Sequence, residues 1–205
     1  MNQAATIEAA APVDDHSEIR EEVRKLCARF PDEWWREKDR ERAYPTEFVQ
    51  ALTEAGFLGA LIPEAYGGVG LPLSAAAAIL EEIHASGGNA GACHAQMYVM
   101  GTVLRHGSED QKQRILPGVA DGSIRMQAFG VTEPTSGTDT TSLRTVAKKD
   151  GDRYVVNGQK IWTSRAEHSD MMVLLARTTP LDEVKKKTDG LSVFLLDMRE
   201  ALGNG

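Results

Sequence analysis

The sequence predicts an α+β chain: an all-α region over residues 17–122, then an antiparallel, barrel-like β-region over 123–205. Three observations predict it. Apolar residues recur at spacings of three and four up to about residue 122, and β-formers such as Val146, Tyr154, Val155, Val156, Ile161 and Trp162 take over after it. Asp150-Gly151 and Asn157-Gly158 are dipeptides favoured in two-residue hairpin turns. The strands follow the helices instead of alternating with them, which excludes a doubly wound sheet.

Residues 1–16 are expected to form a flexible N-terminus. Asp15 with Glu18 makes a capping pair for a helix whose Ile19, Val23, Leu26 and Phe30 share a face, ended by Pro31. Trp34 and Trp35 lie in a charged connector and are expected to pack between helices. Pro45 opens the next helix, with Phe48, Leu52 and Ala55 on one face and Gly56 as its stop. Three glycines, Gly67, Gly68 and Gly70, then mark a connector that needs positive φ or close backbone approach. It lacks the third glycine of a dinucleotide fingerprint and the lysine of a phosphate loop. A helix resumes at Ser74, with Ala77, Leu80 and His84 as its stripe, and ends at Gly87-Gly88. Residues 89–106 are small and apolar with Gln96 as the one buried polar side chain, which predicts the central helix of a bundle, and Gly101 is expected to allow close helix contact. Ser108 with Gln111 forms a capping box for a last helix that Pro117-Gly118 closes or kinks. Strands are expected near 143–149, 153–157 and 159–163 as a meander, and at 171–177 and 191–197 around a charged loop.

Composition narrows the function classes. Hydrophobic residues at 41% and charged residues at 26% are ordinary for a globular chain of 205 residues, and the net charge of −7 argues against a nucleic-acid surface. Cys27 and Cys93 both fall in helical patterns, so a disulfide frame is not expected, and no metal site is predicted. The first residues carry neither a secretory signal nor an Arg-rich transit pattern, and no apolar run reaches membrane-spanning length. The expected location is the cytoplasm.

The chemistry concentrates in two stretches. Met126 to Asp139 runs from an apolar strand through Glu133-Pro134 into a loop rich in hydroxyls, with Thr132, Thr135, Ser136 and Thr138 around Gly137. Thr140 and Thr141 extend that set. Hydroxyls and backbone N–H groups around a glycine suit a diphosphate, although an ordinary Ser/Thr-rich loop has the same composition. Lys160-Ile161-Trp162-Thr163-Ser164 places hydroxyls after a tryptophan, which suits stacking and hydrogen bonding against a flat heteroaromatic ligand.

The order of residues goes further than the composition. Phe129-Gly130-Val131-Thr132-Glu133-Pro134, followed by Gly137-Thr138-Asp139, resembles the flavin-binding signature of the acyl-CoA dehydrogenase family. Asn157 to Ser164 resembles that family's second flavin-contacting stretch at the right separation, and Ile62 to Gly70 resembles a third segment. The resemblance covers the chain from about residue 17 onward. It implies FAD as cofactor, an acyl-CoA thioester substrate, and α,β-dehydrogenation in which a carboxylate removes the α-proton while hydride passes to the flavin. Electrons would go on to an electron-transfer flavoprotein or similar acceptor, and the full-length protein is expected to be a homodimer or homotetramer. By position, Phe129, Val131 and Thr132 border the isoalloxazine, and Gly137 and Thr138 lie by the diphosphate or the substrate. Trp162 packs on a ring face, Thr163 belongs to the same contact stretch, and Ser164 points its hydroxyl near the reacting edge. Gln96, Met97 and Met100 are candidates to border the acyl tail, with plain bundle core as the competing reading.

Departures are few. Ser136-Gly137-Thr138-Asp139 replaces the family's usual Ala-Gly-Ser-Asp, Ser164 replaces Thr, and Arg165 replaces Asn. The chain ends before the family's remaining barrel strands and C-terminal helical bundle, where the resemblance places the catalytic glutamate, so no catalytic residue is assigned here and the isolated chain is expected to be inactive. Glu133 belongs to the flavin motif and is not read as that base. Two alternatives are carried: a non-catalytic binding or interaction module, and a flavin oxidase or monooxygenase on the same fold.

Overall fold

The computed structural model describes residues 15–203. The expected flexible N-terminus therefore lies outside the described residues except for Asp15 and His16. These two are tied down: Arg20 Nε donates to the Asp15 carbonyl at 2.7 Å, and the His16 ring meets the Ser74 hydroxyl at 2.9 Å.

Helices fill the first part. α1 (Ser17–Cys27) is preceded by His16 in a left-handed conformation, φ +54°, and no side chain caps it. Asp15 accepts the Ser17 N–H at 3.1 Å but sits one residue too early to serve as the predicted cap. Trp34 and Trp35 lie in a helix, α2 (Asp32–Glu41), and not in a connector. Pro31 precedes it and Asp32 and Glu33 occupy its first turn, both favourable at a helix N-terminus. The tryptophans are helix-packing residues: Trp34 meets Phe30 edge-on at 4.9 Å, and Trp35 meets Phe48 at 4.8 Å. α3 (Thr46–Glu54) begins after Pro45 and gives way to Gly56 at φ +77°.

The glycine-rich connector shows both predicted needs. Gly67 and Gly70 hold φ at +82° and +70°, and a Cβ on Gly68 would lie 2.1 Å from the Ile62 carbonyl oxygen.

α4 (Leu73–Ala85) buries Ala75, Ala76, Ala78, Ile79 and Ile83, and of the predicted stripe only Leu80 packs against the core, half-buried, while Ala77 and His84 are exposed. α5 (Gly91–His106) is central and holds Gln96 fully buried, but Gly101 has no neighbour close to where its Cβ would stand. α6 (Glu109–Asp121) has the predicted Ser108–Gln111 capping box. Pro117 does not end it. The helix runs on to bury Val119 and stops at Gly122, φ +83°, because that burial outweighs one missing hydrogen bond.

Five strands follow: β1 (Ala128–Gly130), β2 (Val146–Asp150), β3 (Arg153–Asn157), β4 (Met171–Arg177) and β5 (Leu191–Asp197), with a short α7 (Met198–Gly203) after them. β2–β3 and β4–β5 are antiparallel, as expected. β1 runs parallel to β4, Ala128 opposite Met172, and β2 touches β4 in parallel at Val146–Arg177, so the sheet is mixed. The β2–β3 turn is Gly151-Asp152, one residue later than the predicted pair, with Gly151 at φ +62°. Residues 159–163 do not form a strand. Gly158 packs directly against Thr145, and the Ile161 N–H then bonds to the Thr132 carbonyl at 2.9 Å instead of continuing the meander.

Helices and sheet share an apolar core. Val99, Met100 and Val103 of α5 and Leu116 and Val119 of α6 pack in one cluster with Met126, Met171 and Val173. A buried polar relay crosses the same junction: Tyr44 donates to Gln127 Oε1 at 2.8 Å, Gln127 Nε2 to Gln96 Oε1 at 3.4 Å, and Gln96 Nε2 to the Val119 carbonyl at 3.4 Å. Among the described residues, no helix is long and apolar enough to cross a membrane.

The connector supplies a direct test. Gly68→Ala must displace backbone and is expected to cost about 1–3 kcal/mol in urea denaturation. Gly67→Ala meets open space and carries only the left-handed penalty, about 1–2 kcal/mol. Gly68→Ala is therefore expected to be at least as damaging despite its ordinary φ.

Candidate functional site

The two motif stretches meet in space because of Glu133. The residue is 4% exposed, and its carboxylate gathers three donors: the Arg144 N–H at 2.6 Å, the Thr145 N–H at 2.9 Å and Lys160 Nζ at 2.8 Å. Lys160 Nζ also donates to the Val131 carbonyl at 3.0 Å. Burial pushes the Glu133 carboxyl up, but the Lys160 ammonium and the N–H groups of Arg144 and Thr145 outweigh it and hold the group down at about 2. A carboxylate so bound accepts no proton near neutrality, and its position is structural.

Around this pair the hydroxyls divide into two sets. Asp139 accepts from the Thr141 and Ser142 hydroxyls, and the Ser136 hydroxyl donates to the Asp139 carbonyl. Those three shape the loop and are not available to a ligand. The hydroxyls of Thr132, Thr138, Thr163 and Ser164 engage no described protein group. Gly137 has nothing within 4 Å of a would-be Cβ, so the loop tip is open to a bulky group.

Apolar surface lies beside the open hydroxyls. Trp162 is 84% exposed with its backbone at φ +58°, and Phe129 is also exposed. A large aromatic side chain in a left-handed conformation, offered to solvent, is a costly arrangement and points to a flat ligand that covers it. Val131 is half-buried between Phe129 and Thr132. Phe129 meets Tyr98 of α5 edge-on at 5.8 Å, and Tyr98 opens a groove of about 440 Å³ between α4 and α5. Leu73, Ala77, Leu80, Met97 and Gly101 line its apolar walls, with His94, Arg105 and His106 on it too.

The predicted residues thus fall unevenly. Phe129, Val131, Thr132, Trp162, Thr163 and Ser164 belong to segments joined by the Ile161–Thr132 and Lys160–Glu133 bonds, and Gly137 and Thr138 form the exposed loop tip. Of the three acyl-tail candidates only Met97 reaches the groove. Gln96 and Met100 are fully buried, Gln96 with its amide engaged in the polar relay, and so stand in the core. The sequence reading missed Tyr98, His94 and Lys160. Ala77 and Leu80 of the predicted α4 stripe were the available signal for the groove, since both line it. Cys93 is no nucleophile: burial pushes its thiol up to about 12.

The donor set and the exposed indole fit a flavin nucleotide: a flat ring for Trp162 and Phe129, polar edge contacts for Thr132, Thr163 and Ser164, and an open glycine tip for a diphosphate. Comparison with known proteins agrees at the level of family. The profile of the acyl-CoA dehydrogenase N-terminal domain matches residues 13–123, and that of the middle domain matches 128–204. The chain belongs to the acyl-CoA dehydrogenase family, whose members are oxidoreductases and generally flavoproteins. It is 34% identical over 192 residues to a glutaryl-CoA dehydrogenase of Desulfococcus multivorans, covering 91% of this chain and 47% of that protein. The structure of an acyl-CoA dehydrogenase from Geobacillus kaustophilus superposes with a TM-score of 0.82 at 29% identity, over 93% of this chain and 50% of that one. The prolyl acyl carrier protein oxidase AnaB superposes at 0.80 and 27% identity, over 91% and 49%. The chain spans about half the length of the curated relatives it matches.

Acid titration tests the buried pair. The Glu133 pKa is depressed below its ordinary 4.5, so its contribution to stability is complete above that pH and is lost as pH falls towards 2. Glu133→Gln leaves the Lys160 ammonium buried without a counter-charge and is expected to cost about 3–5 kcal/mol at neutral pH. In urea titrations between pH 7 and pH 2, the gap between wild type and variant is expected to narrow in the acid range.

Proposed function

We propose that this chain carries the helical wall and the sheet wall of a flavin site in an enzyme that dehydrogenates an acyl-CoA thioester. The observation that carries the reading is the exposed Trp162, held in a left-handed backbone beside uncommitted hydroxyls, while Phe129 of the other motif meets Tyr98, which lines an apolar groove. Phe129, Val131 and Thr132 border the isoalloxazine, Trp162 covers one of its faces, Thr163 and Ser164 bond its polar edge, and Gly137 with Thr138 receives the diphosphate or the substrate's phosphates. Bound FAD supplies the hydride acceptor. The chain's own residues orient the ring, exclude water from its face through Trp162 and Phe129, and lead the acyl tail along Met97 and Tyr98. No group described here is assigned as the base that takes the α-proton; Glu133 is committed to Lys160.

An electron-transfer flavoprotein as acceptor and a homo-oligomeric holoenzyme belong to the same reading, as does a cytoplasmic location. The likeness to AnaB favours one second reading, a flavin oxidase on this fold.

The tests separate them. The holoprotein is expected to bleach its flavin absorbance on anaerobic addition of an acyl-CoA and to show no rapid reoxidation in air; hydrogen peroxide released in step with substrate selects the oxidase. A protein that neither takes up FAD nor bleaches defeats both. Trp162→Ala is expected to weaken FAD binding about ten-fold, the order of an aromatic stacking contact. Its effect on thermal unfolding is expected to stay within about 0.5 kcal/mol, because the side chain is exposed.

A further inference from the structure

Lys160 does more than neutralise a buried carboxylate. Its ammonium donates to the Val131 carbonyl and to Glu133, while the next residue, Ile161, gives its N–H to the carbonyl of Thr132. Two consecutive residues are thus fastened onto three consecutive residues of the first motif, through a pair whose side chains are only 9% and 3% exposed.

The far end of the same span is fastened as well. Arg165 sits at φ +60°, and its carbonyl accepts from the Ser169 hydroxyl at 2.8 Å and from the His168 N–H at 3.1 Å. Ser169 Oγ in turn accepts the Gln127 N–H, which links this end to the base of β1. Between the two anchorages lie Trp162, Thr163 and Ser164, with Trp162 itself and Arg165, directly after Ser164, in left-handed conformations. Trp162 makes no ring contact with a described aromatic residue, and its indole lies in solvent. Left to itself, such a segment relaxes twice over, by returning Trp162 to negative φ and by burying the indole. The anchorages oppose both.

We propose that Lys160, through Glu133, is a positioning residue for the cofactor: the buried ion pair holds residues 161–165 in the strained form that presents Trp162 and Ser164 to the flavin. The assignment rests on the flavin reading above. It predicts that the ligand face is built before the ligand arrives, so the cost of ordering it is met in folding and not in binding.

Hydrogen exchange and cofactor affinity test the two halves of this separately, on Lys160→Met and Lys160→Arg in the holoenzyme and its flavin-free form. Without flavin, Lys160→Met is expected to speed exchange of the Ile161 amide about ten-fold or more, with the amides of α5 unchanged. It is expected to weaken FAD about ten-fold and to alter the visible circular dichroism of bound flavin, while Lys160→Arg, which keeps the charge, returns both towards wild type. If Lys160→Met fails to fold, the paired variant Glu133→Gln/Lys160→Met strands neither charge and takes its place. Unchanged Ile161 exchange overturns the anchorage whether or not flavin binds. Faster exchange with wild-type FAD affinity and dichroism overturns the positioning role and leaves the flavin reading intact. A wild-type protein that takes up no FAD overturns the flavin reading and the positioning role together.

Discussion

A carboxylate buried at the foot of a sheet has to find donors, and Glu133 finds them in two segments of chain. The N–H groups of Arg144 and Thr145 fix where β2 begins, Lys160 brings in the segment after β3, and the pair of bonds between Glu133 and Ser136 closes the turn that leaves β1. β1 is pulled alongside β4, and β2 starts where Thr145 can offer its carbonyl to the N–H of Arg177. Arg177 is the electrostatic counterpart of Glu133. Its buried guanidinium collects carbonyl oxygens, from Thr141, Lys187 and Asp189, as Glu133 collects N–H groups. One buried anion and one buried cation thus both gather backbone groups around the start of β2, Glu133 with Lys160 as well.

What was legible in the sequence was what short stretches decide for themselves. The Ser108–Gln111 capping box, the β4 and β5 strands and the Pro45 helix start depend on residues within a turn or a strand of one another, and they are where the sequence places them. The misplaced elements are those decided at a distance. Residues 159–163 have the composition of a strand, yet the docking of Gly158 on Thr145 and of Ile161 on Thr132 takes them out of the sheet. Trp34 and Trp35 sit among charges that read as a linker, and only their edge contacts with Phe30 and Phe48 show the helix they stabilise. On α4 the pattern misassigned the face: Ile79 and Ile83 are buried, Leu80 is half-buried against the core, and Ala77 and His84 are exposed.

The candidate site was readable to the same degree. Residue order identified the stretches that carry Thr132, Thr138, Trp162 and Ser164. It could not show that Ser136 and Thr141 are spent on Asp139, because that division depends on where the loop folds back. Nor could it show Lys160 as the link between the stretches, since its partner Glu133 lies 27 residues away in the chain. Gln96 illustrates the opposite error: a polar residue on an apolar helix invites a ligand role, and the structure commits it to Gln127 and to backbone carbonyls.

The division of hydroxyls bears on how a ligand would be held. In Asp139 the hydroxyls of Ser142 and Thr141 bring the carboxyl below its ordinary range, so the charge that closes the loop persists into mildly acidic solution. With that loop closed internally, Gly137 and Thr138 are left at its tip with no competing protein contact, just as Trp162 and Ser164 are left at the crest of their own anchored span. Two independent devices, one acidic and one an ion pair, therefore produce the same result: a polar or aromatic group displayed on rigid backbone. Flexible loops of the same composition would lose that order entropy on binding. The proposed flavin nucleotide would use both groups, its flat ring at the Trp162 end and its anionic diphosphate at the Thr138 end.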